Sequence, residues 1–115
     1  MKIKEIAKIL NAEVLYSTEE LLNTEVNSAC ASDMMSDVLA YVKNQAVLIT
    51  GLCNPQVVRT AEMMDMLCIV LVRGKKPDEN MIRLANERGI AVLVTPLRMF
   101  ATCGMLYSAG LKPED

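Results

Sequence analysis

The residues best placed to bind something stand where apolar runs stop. "AVLITG", Ala46 to Gly51, closes on Thr50 and Gly51, with Asn54 three residues further on; "LCIVLVRGKK", Leu67 to Lys76, closes on Arg73, Gly74 and Lys75. "ACASD" ends in Ser32 and Asp33, and "AVLV" runs into Thr95. An arginine fork and a lysine beside a glycine turn suit an anion such as phosphate or carboxylate. Arginine supplies parallel donors, lysine a point charge, and glycine lets a ligand approach the backbone. The competing reading makes Arg73, Lys75 and Lys76 solvated loop charges and Gly51 and Gly74 plain turn residues. Neither G-x-G-x-x-G nor G-x-x-x-x-G-K-[ST] is present to decide between them. Asp33 and Asp37 are four apart and would share a helix face if that helix starts early, as a solvated pair more readily than as acid and base.

Catalytic and metal chemistry find little support. The chain has no histidine, and its cysteines, at 30, 53, 68 and 103, form no C-x-x-C pair, so the spacing of a zinc site is missing and no metal or cofactor is expected. A serine or cysteine nucleophile would lack the usual base. Reduced thiols are expected, Cys30 and Cys68 as small core residues. Cys53, close to a predicted helix start, is the one with reason to have a lowered pKa and redox sensitivity. A net charge of −2 with no long like-charged block argues against a nucleic-acid partner. The apolar runs are too short to span a bilayer, and Glu5 and Lys8 interrupt what would be a signal peptide's hydrophobic stretch; a cytoplasmic protein is expected.

The elements that must position the strand-end residues follow from periodicity. Ile3, Ile6, Ala7 and Leu10 recur at helical spacing, predicting a helix over 2–10. "AEVLY" reads as a short strand, "STEELLN" as an ambiguous segment with room for one helical turn, and "EVNSACASD" as a second strand. Met35, Val38, Leu39 and Val42 mark the buried face of the next helix, with Ser32 as a candidate cap. "AVLIT", "LCIVLV" and "AVLV" are continuous apolar runs, the mark of strands covered on both faces. Asn54-Pro55 begins a helix to about Asp65, and Pro77, Asp78 and Glu79 form the first turn of another that Gly89 stops. Thr95-Pro96 begins a last helix to about Ala109. Alternating buried strands and helices predict an α/β fold, a three-layer α/β/α sandwich with a mainly parallel central sheet in which 46–50, 67–72 and 91–94 are neighbours. One domain over 1–110 and a short tail, 111–115, are expected.

The stretch "VLVRGKKPDENMIRLANERGIAVLVTPL" joins an apolar strand, a glycine turn, Pro-Asp-Glu, a helix, Gly-Ile and a strand ending in Thr-Pro-Leu. With "VLITG" and "ASDMMSDVLAYV" it resembles the DRTGG domain family and, more distantly, the N-terminal domain of HPr kinase/phosphorylase. The resemblance runs from about Lys2 to Leu106. Where the family has its Asp-Arg pair, this chain has Leu52-Cys53 or Cys53-Asn54; where it has Thr-Gly-Gly, this chain has Val72, Arg73 and Gly74. The resemblance implies a three-layer α/β/α unit of the kind attached to CBS domains, phosphotransacetylases or transport ATPases, acting as a regulatory or ligand-sensing module. Short stand-alone members, some encoded near iron-only hydrogenase systems, imply a redox-metabolic context. HPr kinase's catalytic machinery belongs to its other domain, so kinase activity does not carry over.

Two functions compete. The first is a non-catalytic regulatory domain binding a small anionic metabolite or nucleotide through Ser32, Asp33, Thr50, Gly51, Asn54, Arg73, Gly74, Lys75 and Thr95. The second is an assembly module that forms a homodimer or docks on a redox-enzyme or hydrogenase-related partner, for which the methionine-rich segments Met63–Met66 and Met99–Met105 are candidate surfaces. A homo-oligomer, with a dimer favoured, is expected because a 115-residue chain that is 52% hydrophobic has limited interior to hide those side chains.

Overall fold

A run of four largely apolar residues, at least half of them β-branched, is stable as a strand only if both its faces are covered. The three such runs satisfy that condition at every position. In a computed structural model, which describes residues 1–41 and 46–113, the chain runs α1 (Ile3–Ile9), β1 (Glu13–Tyr16), α2 (Glu19–Leu22), β2 (Ala29–Ala31), α3 (Met35–Tyr41), β3 (Val47–Thr50), α4 (Pro55–Met63), β4 (Cys68–Leu71), α5 (Glu79–Arg88), β5 (Ala91–Val94) and α6 (Met99–Ser108). The five strands form one sheet in the order β1-β5-β4-β3-β2, and β2 through β5 pair in parallel. The three predicted strands are therefore neighbours in one sheet. β1 pairs antiparallel with β5 and has a register shift between Val14 and Tyr16. Such an antiparallel edge is common on an otherwise parallel sheet.

Because side chains alternate along a strand, each buried run feeds two cores. Leu48, Ile69, Leu71, Val92 and Val94 face Met35, Val38, Val57, Val58, Ala61, Met81 and Ala85 of α3, α4 and α5. Val47, Ile49, Cys68, Val70, Ala91 and Leu93 face Ile3, Ile6, Leu10 and Leu106 on the side of α1 and α6. This is the predicted three-layer α/β/α sandwich. No helix among the described residues is long and apolar enough to cross a membrane.

Local signals held where they were strongest. The Asn54 side chain accepts from Gln56 N at 2.9 Å with Pro55 in the first turn of α4, and Gly89 ends α5 at φ +69°. Four expectations need correction. Asp78, not Pro77, opens α5: its carboxylate accepts from Met81 N at 3.0 Å and leaves Pro77 outside the helix. Thr95-Pro96 does not cap α6, which begins at Met99; the buried Thr95 hydroxyl donates instead to Leu10 O at 2.7 Å, where the end of α1 has carbonyls left over. Leu39 is 38% exposed rather than part of the buried face of α3, and Val42 lies outside the described residues. β2 is also shorter than the extended segment suggested. Val26 N binds Met1 O and Lys112 N binds Asn27 O, so the residues before β2 pair with the two ends of the chain. Beyond residue 110, Leu111 is buried and Lys112 bridges to Ser28.

All four cysteines are free thiols. Burial pushes the Cys68 thiol up to about 12 and that of Cys30 to about 11. A thiol whose folded pKa exceeds its unfolded value of 9.0 stabilises the fold fully below pH 9, and that contribution is lost as pH rises toward the folded pKa. Stability should therefore fall through the window from pH 9 to about 12, by up to about 1.4 kcal/mol per pH unit for Cys68 alone. Urea titrations at stepped alkaline pH, comparing wild type with Cys68→Ala, measure it; parallel pH profiles would show that the thiol is not responsible.

Candidate functional site

β3 and β4 end side by side, in register through Thr50 and Leu71, so the loops that follow them meet above the sheet. Asp33 reaches the same place from the turn after β2. Its Oδ1 accepts from Gly51 N at 2.6 Å and from Thr50 Oγ1 at 3.2 Å. The Thr50 hydroxyl in turn accepts from Leu52 N at 3.1 Å. Ser32 shapes the approach, accepting from Met34 N at 3.0 Å before α3 begins. It builds a lead-in turn and does not cap the helix. With α3 starting at Met35, Asp33 is outside the helix and shares no face with Asp37.

Arg73 completes the cluster from the other loop. A Cβ built on Gly51 would lie 2.7 Å from Arg73 Nη2 and 3.3 Å from Asp33 Oδ1. Gly51 therefore lets a guanidinium and a carboxylate converge over its backbone, where any larger residue would push the arginine aside. The turn that delivers Arg73 is unusual. Arg73 and Gly74 are both left-handed, at φ +63° and +66°. For a residue with a Cβ this conformation costs about 1–2 kcal/mol. Two backbone bonds hold it: Arg73 N to Leu97 O at 2.7 Å and Gly74 N to Thr95 O at 2.8 Å.

The surrounding charge is mixed. Arg73 and Lys75 both draw the Cys53 thiol toward its ionised form, but burial outweighs them and its pKa is raised. This corrects the expectation of a lowered pKa: the positive field reaches Cys53, and its half-buried setting wins. Lys76 is drawn away, its Nζ 3.3 Å from Glu13 Oε1 on β1. Of the nine predicted residues, Asp33, Thr50, Gly51, Arg73 and Gly74 come together, with Lys75 and Asn54 at the margin. Ser32 supports the cluster from behind. Thr95 is buried, its hydroxyl committed to Leu10.

The glycines leave the backbone open to close approach, but its amides here are engaged. The N–H groups of Gly51, Leu52, Gln56, Arg73 and Gly74 already have partners within the protein. Asp33 Oδ1 takes the place at Gly51 N that a ligand oxygen would otherwise fill. What the cluster presents outward is side-chain chemistry: a planar donor fork, an ammonium and a carboxylate on an open surface. Two shallow grooves lie elsewhere, one along α5 beside Pro77, Ile82 and Arg83, the other at the opposite end of the sheet beside Asp65, Leu67 and Gly89. Sequence reasoning missed the left-handed Arg73 and the role of the Leu97 carbonyl. The one signal for the former is the motif correspondence, which sets a glycine where this chain has Arg73.

The fold and the paired loops define a small α/β domain with a polar cluster at the carboxyl ends of a parallel sheet. The chain belongs to the DRTGG domain family, whose model matches residues 5–109. Among curated proteins none matches the sequence. A structure similar to it is that of the CBS and DRTGG domains of the regulatory region of Clostridium perfringens pyrophosphatase, complexed with its activator, diadenosine tetraphosphate. The two superpose with a TM-score of 0.77 at 16% identity, over 99% of this chain and 51% of that one. This chain thus spans about half the length of that structure, and the likeness is one of fold.

Proposed function

We propose that this chain is a non-catalytic regulatory domain that binds a small anionic metabolite or nucleotide over the ends of β3 and β4, and that it works as a homodimer. The observation that carries the ligand reading is the Arg73 guanidinium laid over Gly51 beside the Asp33 carboxylate. A bare anion site would exclude a carboxylate. One that pairs an arginine and a lysine with a carboxylate suits a ligand bearing both acceptors and donors. A phosphate would accept from Arg73 and Lys75, and a ribose hydroxyl or an exocyclic amine would donate to Asp33. Asn54, at the start of α4, and the backbone of Gly74 border the same surface, while Ser32, Thr50 and Thr95 act by holding the loops. The regulatory pyrophosphatase region complexed with a nucleotide activator supports this class of ligand by analogy of fold.

The test is a thermal-shift screen of diadenosine tetraphosphate, ATP, ADP, AMP and inorganic phosphate against the purified chain. A ligand that binds the native state alone adds about 2.7 kcal/mol at one hundred times its Kd, which raises the midpoint by several degrees. The nucleotides should shift the transition more than inorganic phosphate does. A flat response to every compound at millimolar concentration would remove the ligand reading.

A further inference from the structure

The sequence of α6, MFATCGMLYS, contains no charged residue. Its inner face is accounted for: Thr102 and Leu106 are buried, and Met99 and Cys103 pack against the core. The outer face is not. Phe100 is 92% exposed, Tyr107 56% and Met105 40%, with Ala101, Gly104 and Ser108 exposed among them. At 3.6 residues per turn these six positions make one continuous stripe. Other helices turn charge outward, α1 with Lys4, Glu5 and Lys8 and α5 with Glu79, Arg83 and Glu87. A helix apolar on every side has neighbours on every side.

We propose that the missing neighbour is a second copy of this chain, its α6 packed antiparallel on this one about a two-fold axis beside Gly104. This rests on the homodimer part of the proposed function and not on the ligand. A two-fold interface must be self-complementary, and this stripe is so in one register. With Gly104 on the axis, residues equally far before and after it face each other, so Phe100 lies over Ser108 of the partner subunit and Tyr107 over Ala101 of the partner subunit. Each large side chain meets a small one, and the two glycines let the backbones approach. The absence of charge means that no like charges on the two helices oppose each other. The area is also sufficient. A fully buried aromatic side chain covers roughly 150–250 Å², so Phe100 and Tyr107 of two copies supply on the order of 600 Å². Met105 and the small residues bring the total to about the 1,000 Å² that a specific interface must clear.

Sedimentation velocity across the micromolar range tests this. Wild type should sediment at twice 12.7 kDa, and Phe100→Lys at 12.7 kDa with an unchanged circular dichroism spectrum, because that side chain is solvent-exposed in the monomer. Adding Ser108→Glu to Phe100→Lys should restore the dimer, since the two new charges would face each other across the axis. A monomeric wild type would overturn both the homodimer and this surface. A dimer indifferent to Phe100→Lys, or a double variant that stays monomeric, would overturn the α6 pairing alone.

Discussion

Arg73→Ala should weaken nucleotide binding by roughly 10- to 150-fold, since a hydrogen bond to a charged group is worth about 1.5–3 kcal/mol. ATP is a suitable probe, with the heat of titration as the readout. The substitution removes the guanidinium from above Gly51 and leaves the turn in place, because the bonds to Leu97 O and Thr95 O come from the backbone. Arg73→Gly separates binding from folding more sharply still. Glycine takes the φ of +63° without the penalty a Cβ incurs, so this variant should match or exceed wild-type stability by up to about 1 kcal/mol while binding as poorly as the alanine variant. Urea denaturation beside the titrations reads both effects. Wild-type affinity in both variants would mean that Arg73 is a solvated loop charge.

The largest effect on stability is expected from Leu93→Ala. Leu93 is fully buried on β5, in the layer shared with α1 and α6. Truncating a buried leucine removes its transfer free energy and leaves a cavity, which together cost about 2–5 kcal/mol, a large share of the 5–15 kcal/mol typical of a folded domain. Phe100→Ala, on the outer side of the same layer, is the internal control. At 92% exposure its loss should change monomer stability by no more than about 0.5 kcal/mol. Denaturant midpoints measured below the concentration of self-association compare them. Equal effects would contradict the layer assignment of α6.

The fold was legible because its strongest signals are local. Each of β3, β4 and β5 is an unbroken apolar run, and Asn54-Pro55 and Gly89 act through their own side chain or backbone freedom, so no distant residue is needed to interpret them. Some misreadings are local shifts of a boundary, such as Asp78 in place of Pro77 at the start of α5; the larger ones involve long-range partners. Thr95 looks like a helix cap until the carbonyl of Leu10, 85 residues away, claims its hydroxyl. β1 reads as a strand, but its antiparallel pairing with β5 is invisible to periodicity.

The candidate site divides in the same way. Strand ends could be located from the sequence, and with them Asp33, Gly51, Arg73 and Gly74. How these residues are used could not. Asp33 occupies the amide of Gly51, which leaves side chains as the outward surface, and no spacing rule announces a carboxylate 18 residues before its donor. The left-handed arginine runs against backbone preference, and only the tertiary bonds to Thr95 and Leu97 explain it.

The proposed site for a nucleotide or related anion is where the loops after β3 and β4 meet. Amide chemical-shift mapping on ¹⁵N-labelled protein titrated with ATP or diadenosine tetraphosphate tests it residue by residue. Saturable shifts are expected, concentrated at Asp33, Gly51 to Asn54 and Arg73 to Lys75, and absent in Arg73→Ala at the same concentrations. Shifts centred on the groove beside Ile82 and Arg83 or on the opposite end of the sheet, or no shifts at millimolar nucleotide, would contradict it.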